Sequence, residues 1–245
     1  MPGVQYVPHS VQPRTGRSGL MAAWLPGSSE TQRCRLVLLR HGQTPYSTQG
    51  KYAGRDDIPL TDEGHRQARR AGRWLRDADL TAAVTSPALR CRQTLDDLTD
   101  ELVPGADQPA ELPVDVVDNL IELDFGEWDG RTFKDVHDHF GETQEKWFTD
   151  WTMPVPGGES VQAVDQRVHK AVTELVDQHW GDNLLLVSHV TPIKSVLRRA
   201  LCADSDFFVR LHLDTSSISI VDFYSDGPIC VQAINSTAHL VDGVE

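Results

Sequence analysis

Two histidines each follow, after one intervening residue, an apolar run of the kind that forms a buried strand. Arg40 and His41 follow "LVLL" (36–39), and His189 follows "LLLVS" (184–188). In an open α/β sheet, ligands bind outside the carboxyl ends of the strands. If the two predicted strands are neighbours, both imidazoles lie in one crevice at that edge.

Two arginines accompany these histidines and favour an anionic ligand. Arg40 precedes His41, and Arg90 lies four residues after Ser86, in the first turn of a predicted helix, where it can face the same crevice. Guanidinium groups offer paired, planar donors that suit a phosphoryl group, whose transition state spreads negative charge over its oxygens. Their charge also lowers the pKa of a neighbouring histidine, which keeps His41 neutral and nucleophilic near pH 7. The set predicts phosphoryl transfer through a phosphohistidine that water then cleaves.

A leaving alkoxide needs a proton, and an acidic segment after the third predicted strand offers two donors. Glu122 lies just beyond that strand. Its neighbours include the apolar residues Leu123, Phe125 and Trp128. A carboxyl in apolar surroundings holds its proton more readily and can act as a general acid. Asp124 is the competing candidate.

Composition and charge restrict the class of partner. The 245 residues are 39% hydrophobic and 24% charged, which is ordinary for a globular protein. The net charge of −13 argues against broad binding to nucleic acid or membranes, although a few arginines in a cleft can still hold a small anion. No apolar run approaches the ~20 residues of a membrane span. We expect a small phosphate ester as partner, and neither nucleic acid nor membrane. A homodimer stays an open option.

The cysteines and histidines form no recognisable metal site. The four cysteines are scattered without a CxxC pair, a pattern that favours free thiols in a reducing compartment and predicts a cytoplasmic location. His137 and His139 have the spacing of a metal pair, but they lie beside acids in a polar helical stretch, so we expect a solvated helix face. We assign no metal and no cofactor.

Residues 1–33 differ in composition from the rest of the chain. They are rich in Pro, Gly and Ser and carry three arginines but one acid. We interpret them as a disordered segment, either an over-long start or a linker, ahead of one folded domain at 34–245. An organelle transit peptide is the alternative for such a basic, acid-poor segment.

Strand and helix signals alternate through the folded part. Strands are predicted at 35–39, 81–86, 113–117 and 183–188, followed by a hairpin of 217–224 and 229–234. Helices are predicted to begin at Thr61, Ser86-Pro87, Ser160 and Thr191-Pro192. The last of these helices is predicted to carry an apolar face of Ile193, Val196, Leu197, Ala200 and Leu201. This alternation predicts a single three-layer α/β domain, with a largely parallel central sheet and helices on both faces.

An aromatic cluster follows in a segment rich in turn signals. It comprises Trp147, Phe148, Trp151 and Met153. The cluster either covers the organic portion of a substrate as a lid or fills the space under a long loop. The sequence leaves both interpretations open.

The motifs along residues 34–236 resemble those of the histidine phosphatase family, also called phosphoglycerate-mutase-like. They are "LVLLRHGQT" (36–44), "GRDDIPLTDEGHRQA" (54–68), "TSPALRCRQT" (85–94), "IELDFGEWDG" (121–130), "PGGES" (156–160) and "VSHVTPIK" (187–194). Their order and spacing match the family. Within it, they are similar to the acid-phosphatase domain of actinobacterial ribonuclease H/acid phosphatase proteins and to α-ribazole phosphatases. The resemblance assigns 34–245 to a histidine phosphatase domain.

The resemblance implies a phosphoglycerate-mutase-like fold and a metal-independent phosphomonoester hydrolase of the histidine acid phosphatase type. It implies that His41 is the phosphorylated nucleophile and that Glu122 is the proton donor. It also implies that Arg40, Arg90 and His189 bind the phosphoryl group and that Thr44 supports the pocket. The implied substrate is a small phosphorylated metabolite.

Three positions depart from the family pattern. Ser47 stands where the family often has Asn, and Ala53 where it often has Gln. Val190 follows the second histidine, where glycine is usual. With Ser47 and Ala53 at these positions, weaker or different binding of the leaving group is expected, and Val190 is expected to narrow the pocket wall. We keep Ser47 and Val190 among the predicted substrate-binding residues.

Two other functions stay open on the same fold. A mutase would return the phosphoryl group to a different hydroxyl, but "IELDFGEWDG" resembles the phosphatase branch rather than the "NERHYG" of family mutases. A catalytically silent binding module is the second alternative, and the intact set of histidines, arginines and acid argues against it.

Overall fold

The structure is a computed structural model that describes residues 31–102 and 112–241. Of the predicted disordered segment, residues 1–30 lie outside the described residues. Arg33, the last residue of that segment, already belongs to the first strand and donates a hydrogen bond to Asn183 Oδ1 at 2.6 Å.

The described residues form one six-stranded sheet. Its strands are β1 (Arg33–Arg40), β2 (Ala82–Thr85), β3 (Val114–Val116), β4 (Asn183–Ser188), β5 (Ile218–Tyr224) and β6 (Ile229–Ser236). They lie in the order β3-β2-β4-β1-β5-β6. The first four in this order are parallel, and the β5–β6 hairpin continues the sheet antiparallel to β1. The predicted parallel sheet and hairpin are confirmed.

Seven helices of the described part accompany the sheet. They are α1 (Pro45–Thr48), α2 (Asp62–Trp74), α3 (Leu89–Leu102), α4 (Phe133–Thr149), α5 (Val161–Gln178), α6 (Val190–Ala200) and α7 (Phe207–Arg210). Residues on α2 and α3 share a core with Val37 and Leu39 of β1, whereas α5 and α6 share one with Leu36 and Leu38. Because side chains alternate across a strand, these helix pairs cover opposite faces. The three-layer α/β prediction is confirmed.

The register of the two central strands positions the histidines. β1 and β4 are parallel neighbours, and Arg40 pairs with Ser188 at their carboxyl ends. The next residues along each chain segment are His41 and His189. They leave the sheet side by side, as the two apolar runs predicted.

Two predicted details of the elements are wrong. The helix predicted from Ser86-Pro87 begins at Leu89, because Asp57 Oδ1, from a distant loop, accepts the hydrogen bond of the Leu89 N–H at 2.8 Å. Leu201 is 46% exposed, because α6 ends one residue earlier. The predicted third strand is present as β3, which is exposed because it lies at one edge of the sheet of described strands and pairs there with β2.

The segment between the acidic loop and α5 is more helical than the sequence indicated. α4 extends to Thr149 and so contains Trp147 and Phe148, which the turn signals had placed in a loop. His137 and His139 lie on α4 and are exposed, which confirms a solvated helix face. Among the helices at 31–102 and 112–241, none has the length and apolarity to cross a bilayer.

Candidate active site

His41 and His189 converge at the carboxyl edge of the sheet. Their ring centroids lie 5.3 Å apart, with the ring planes inclined by 62°. His41 is 5% exposed, and His189 is completely buried. The structure thus brings together two imidazoles that are 148 positions apart in the sequence, although only His41 of the two lines the cavity described below.

The His41 ring is held in one tautomer. Its Nδ1 lies 2.8 Å from the Gly42 carbonyl oxygen. Because a carbonyl can only accept, Nδ1 carries the proton and Nε2 keeps its lone pair. Burial lowers the pKa of His41 well below its usual range, and the charges of Arg90 and Arg40 lower it further. The ring is therefore neutral at pH 7, with Nε2 available as a nucleophile.

Arg90 lies behind the histidines, fully buried at the start of α3. Its Nη1 donates to Asp56 O at 3.0 Å, and its Nη2 donates to Ala53 O and Gly54 O at 3.2 and 2.9 Å. Its Nε has no hydrogen-bond partner among the described residues. Carbonyl groups do not neutralise a guanidinium, so this buried charge stays available to stabilise an anion. Arg90 also ties the loop at 53–56 to the site.

Arg40 lies at the end of β1 and lines the cavity beside His41. Its Nη1 donates to the Leu213 carbonyl oxygen at 2.5 Å, and its Nε is unpartnered among the described residues. Burial lowers the pKa of Arg40 to about 10, so the side chain remains protonated at neutral pH. Arg40 therefore brings a positive charge to the wall of the cavity beside His41.

His189 is oriented by a residue that the sequence assigned to a helix cap. Ser86 Oγ lies 2.7 Å from His189 Nε2, and the buried thiol of Cys91 lies 3.5 Å from the same nitrogen. Burial lowers the pKa of His189 well below its usual range, and Arg90 adds to this effect. The position of Ser86 four residues before Arg90, within one motif, was the available signal for this contact.

Glu122 lines the same cavity and is 5% exposed. Its Oε1 accepts a hydrogen bond from Leu123 N at 2.8 Å, and the N–H of Thr191 in the first turn of α6 lies 3.3 Å from both carboxylate oxygens. Asp124, the competing acid, accepts from Gly126 N at 2.9 Å and does not line this cavity. Of the two candidate acids, Glu122 is therefore the one that lines the cavity.

Glu159 and Arg167 fix the backbone of the acidic segment, a role that the sequence did not reveal. Arg167 Nη2 donates to Glu122 O at 3.0 Å and to Glu159 Oε2 at 3.1 Å. Glu159 Oε2 also accepts from Asp124 N at 3.0 Å. Glu159 belongs to the "PGGES" motif, which was the available signal.

The remaining predicted binding residues lie in the cavity wall. Thr44 is buried and caps α1, where its Oγ1 accepts from Ser47 N at 3.2 Å while Ser47 Oγ accepts from Thr44 N at 2.9 Å. Ser47 Oγ also donates to Thr44 O at 2.8 Å, so its hydroxyl is largely occupied within the turn. Val190, the first residue of α6, and the side chain of Ala53 complete this part of the wall.

The cavity has a volume of about 690 Å³. Trp147, Phe148 and Trp151 line it, whereas Met153 does not. Trp147 and Trp151 also pack against the core that contains Leu36 and Leu38. These two side chains therefore fill space in the protein interior and also form part of the cavity wall.

Lys194 is a cavity residue that the sequence analysis missed. It lies on α6, five positions after His189, and its Nζ donates to Phe208 O at 2.7 Å. Burial lowers the pKa of Lys194 to about 8. Its place at the end of the "VSHVTPIK" motif was the signal that could have identified it. Within 31–102 and 112–241, no three Cys, His, Asp or Glu side chains are grouped so as to hold a metal ion.

Comparison with known proteins identifies relatives of this arrangement. The chain is 41% identical over 207 residues to the bifunctional protein Rv2228c of Mycobacterium tuberculosis. The matched region makes up 84% of this chain and 55% of that protein. The chain thus spans about half the length of this relative. It is 30% identical over 205 residues to the adenosylcobalamin/α-ribazole phosphatase of Salmonella typhimurium, covering 83% of this chain and 97% of that protein.

A solved structure agrees with the fold. The mycobacterial glucosyl-3-phosphoglycerate phosphatase Rv2419c, in complex with VO3, superposes with a TM-score of 0.73 at 26% sequence identity, covering 83% of this chain and 99% of that one. The family model of the histidine phosphatase superfamily (branch 1) matches residues 36–236, which include both histidines, both arginines and the acid. The chain therefore belongs to the histidine phosphatase superfamily.

Proposed function

We propose that this protein is a metal-independent phosphomonoester hydrolase that acts on a small phosphorylated metabolite through a phosphohistidine at His41. One observation carries the proposal above all. A buried, neutral His41 with an unprotonated Nε2 faces the same cavity as Arg40 and Glu122.

In the first step, His41 Nε2 attacks phosphorus. A P–N bond forms as the ester P–O bond breaks, and Glu122 gives its proton to the departing alkoxide, which leaves as an alcohol. The charges of Arg40 and Arg90 stabilise the negative charge on the equatorial oxygens. His189 lies beside His41 with its ring oriented by Ser86, and we assign to it a supporting role in holding the same phosphoryl group.

In the second step, water cleaves the phosphohistidine. The Glu122 carboxylate accepts a proton from the attacking water, a P–O bond forms, and the P–N bond breaks. Inorganic phosphate is released, and His41 regains its neutral form. A single carboxyl thus serves as acid and then as base, which requires it to stay beside the reacting phosphorus in both steps.

The relatives support a phosphatase rather than another use of the fold. Two of them carry the names of phosphatases that act on small phosphorylated compounds, the adenosylcobalamin/α-ribazole phosphatase and the glucosyl-3-phosphoglycerate phosphatase. The intact set of His41, His189 and Arg90 in one buried cluster also argues against a silent binding module, because burying a guanidinium beside two polar imidazoles is costly without a use.

A panel of phosphate esters tests the proposal. The full chain is incubated with p-nitrophenyl phosphate, sugar phosphates and 3-phosphoglycerate, with and without a chelator, and released phosphate is measured. We expect phosphate release at a rate that the chelator leaves unchanged. Interconversion of 3- and 2-phosphoglycerate without release would instead support a mutase, and loss of activity with chelator would contradict metal independence.

A further inference from the structure

The cavity is far larger than a phosphoryl group requires. Its volume of about 690 Å³ lies in the range of roughly 300–1,000 Å³ that holds a ligand of the size of a drug molecule. Arg40, His41 and Glu122 occupy the part where chemistry takes place. The remaining volume is available to the alcohol portion of the substrate.

Aromatic rings form the wall around this remaining volume. Phe133 packs edge-to-face on Tyr52, with centroids 4.6 Å apart, and Phe148 packs edge-to-face on Trp147 at 5.2 Å. All four rings line the cavity, together with Trp151. Such rings bury large apolar area and prefer further aromatic neighbours in offset or edge-to-face contact. The wall is therefore suited to a planar apolar group.

Two of these rings leave much of their surface in solvent. Phe133 is 56% exposed and Phe148 is 48% exposed, although each has a ring partner within the wall. Exposed aromatic surface beside a reactive pocket marks a binding site for apolar ligand area. A ligand ring seated there would cover surface that the protein's own fold leaves uncovered.

We propose that the substrate is a phosphate ester of an alcohol that carries an aromatic ring, bound against the wall of Tyr52, Phe133, Trp147, Phe148 and Trp151. This inference rests on the proposed phosphatase function and narrows its substrate class. The ester oxygen lies at Glu122, and the ring occupies the outer part of the cavity. Small polar alcohols would leave the aromatic wall in water.

Two primary alkyl esters isolate the contribution of the ring. For 2-(1-naphthyl)ethyl phosphate and ethyl phosphate, the leaving alcohols are similar in acidity, so a difference in kcat/KM reports binding of the ring. We expect the naphthyl ester to be preferred by roughly 100-fold, because burial of an aromatic group of this size stabilises the bound state. The ratio of the two kcat/KM values is the measured quantity.

A matched pair of variants tests whether the preference for the naphthyl ester arises at the aromatic wall. Phe148→Ala removes a 48%-exposed aromatic ring from the cavity, and Trp74→Ala removes a 49%-exposed one from α2, outside the cavity. We expect Phe148→Ala to lower the ratio by roughly tenfold and Trp74→Ala to leave it within about twofold. The thermal unfolding midpoint is measured to check that both variants are folded.

The possible results distinguish failure of the aromatic substrate class from failure of the phosphatase function. If the wild-type protein hydrolyses both esters with a ratio near one, or if Phe148→Ala leaves the ratio unchanged, the aromatic substrate class is wrong and the phosphatase stands. If neither of these esters nor p-nitrophenyl phosphate releases phosphate, the phosphatase function itself is overturned, and the inference with it.

Discussion

His41→Ala is expected to lower kcat/KM for every phosphate ester by roughly 10³-fold or more, because no phosphoenzyme can form without the nucleophilic nitrogen. The variant should fold, since the side-chain hydrogen bond that is lost joins His41 to the carbonyl of its own neighbour, Gly42. Phosphate release and the thermal unfolding midpoint are the two measurements.

His65→Ala is the control for this prediction. His65 pairs with Asp97 between α2 and α3, with Nδ1 and Oδ2 2.5 Å apart, and does not line the cavity. The control should therefore change stability more than turnover. Residual activity of His41→Ala above a few per cent of the wild type would show that another group attacks phosphorus.

The loss of kcat/KM in Glu122→Gln is expected to depend on the leaving group of the ester. An alkoxide is a poor leaving group without a proton, so kcat/KM for alkyl phosphates should fall by roughly 10²–10⁴-fold. For p-nitrophenyl phosphate, whose phenolate leaves without help, the loss should stay within roughly tenfold. Glutamine keeps an oxygen that can accept from Leu123 N and Thr191 N, so the local backbone should be retained.

Asp124→Asn is the matched control for the acid. Asp124 accepts a hydrogen bond from Gly126 N at 2.9 Å, and asparagine keeps that acceptor. We expect small and equal effects of this variant on the two classes of ester. Equal losses on both classes with Glu122→Gln would move the role of proton donor elsewhere, and a selective loss on alkyl esters with Asp124→Asn would assign it to Asp124.

The convergence of the two histidines was predictable because it follows from local patterns and one topological rule. The unbroken apolar runs at 36–39 and 184–187 are typical of strands buried on both faces. Parallel neighbours present their carboxyl ends at one edge, so residues directly after both runs must meet if the strands pair. The pairing of Arg40 with Ser188 fulfils that condition.

Contacts between distant segments were not predictable from the sequence. Nothing local indicates that Arg90 donates to the carbonyl groups at 53–56, or that Asp57 accepts from the first N–H of α3. Lys194 was overlooked because a lone lysine on a helix is usually solvated, and its cavity position depends on where α7 packs. Residue types and spacing identified the reacting groups, but tertiary packing determined their supporting contacts.

The most direct test of the phosphohistidine mechanism is to trap the phosphoenzyme. The wild-type protein is mixed with a ³²P-labelled ester and quenched within one turnover, and the label is then mapped by proteolysis and mass spectrometry. We predict an acid-labile, alkali-stable phosphoryl group on His41, and none in His41→Ala. Stoichiometric label on another residue, or turnover without any labelled protein, would contradict the mechanism.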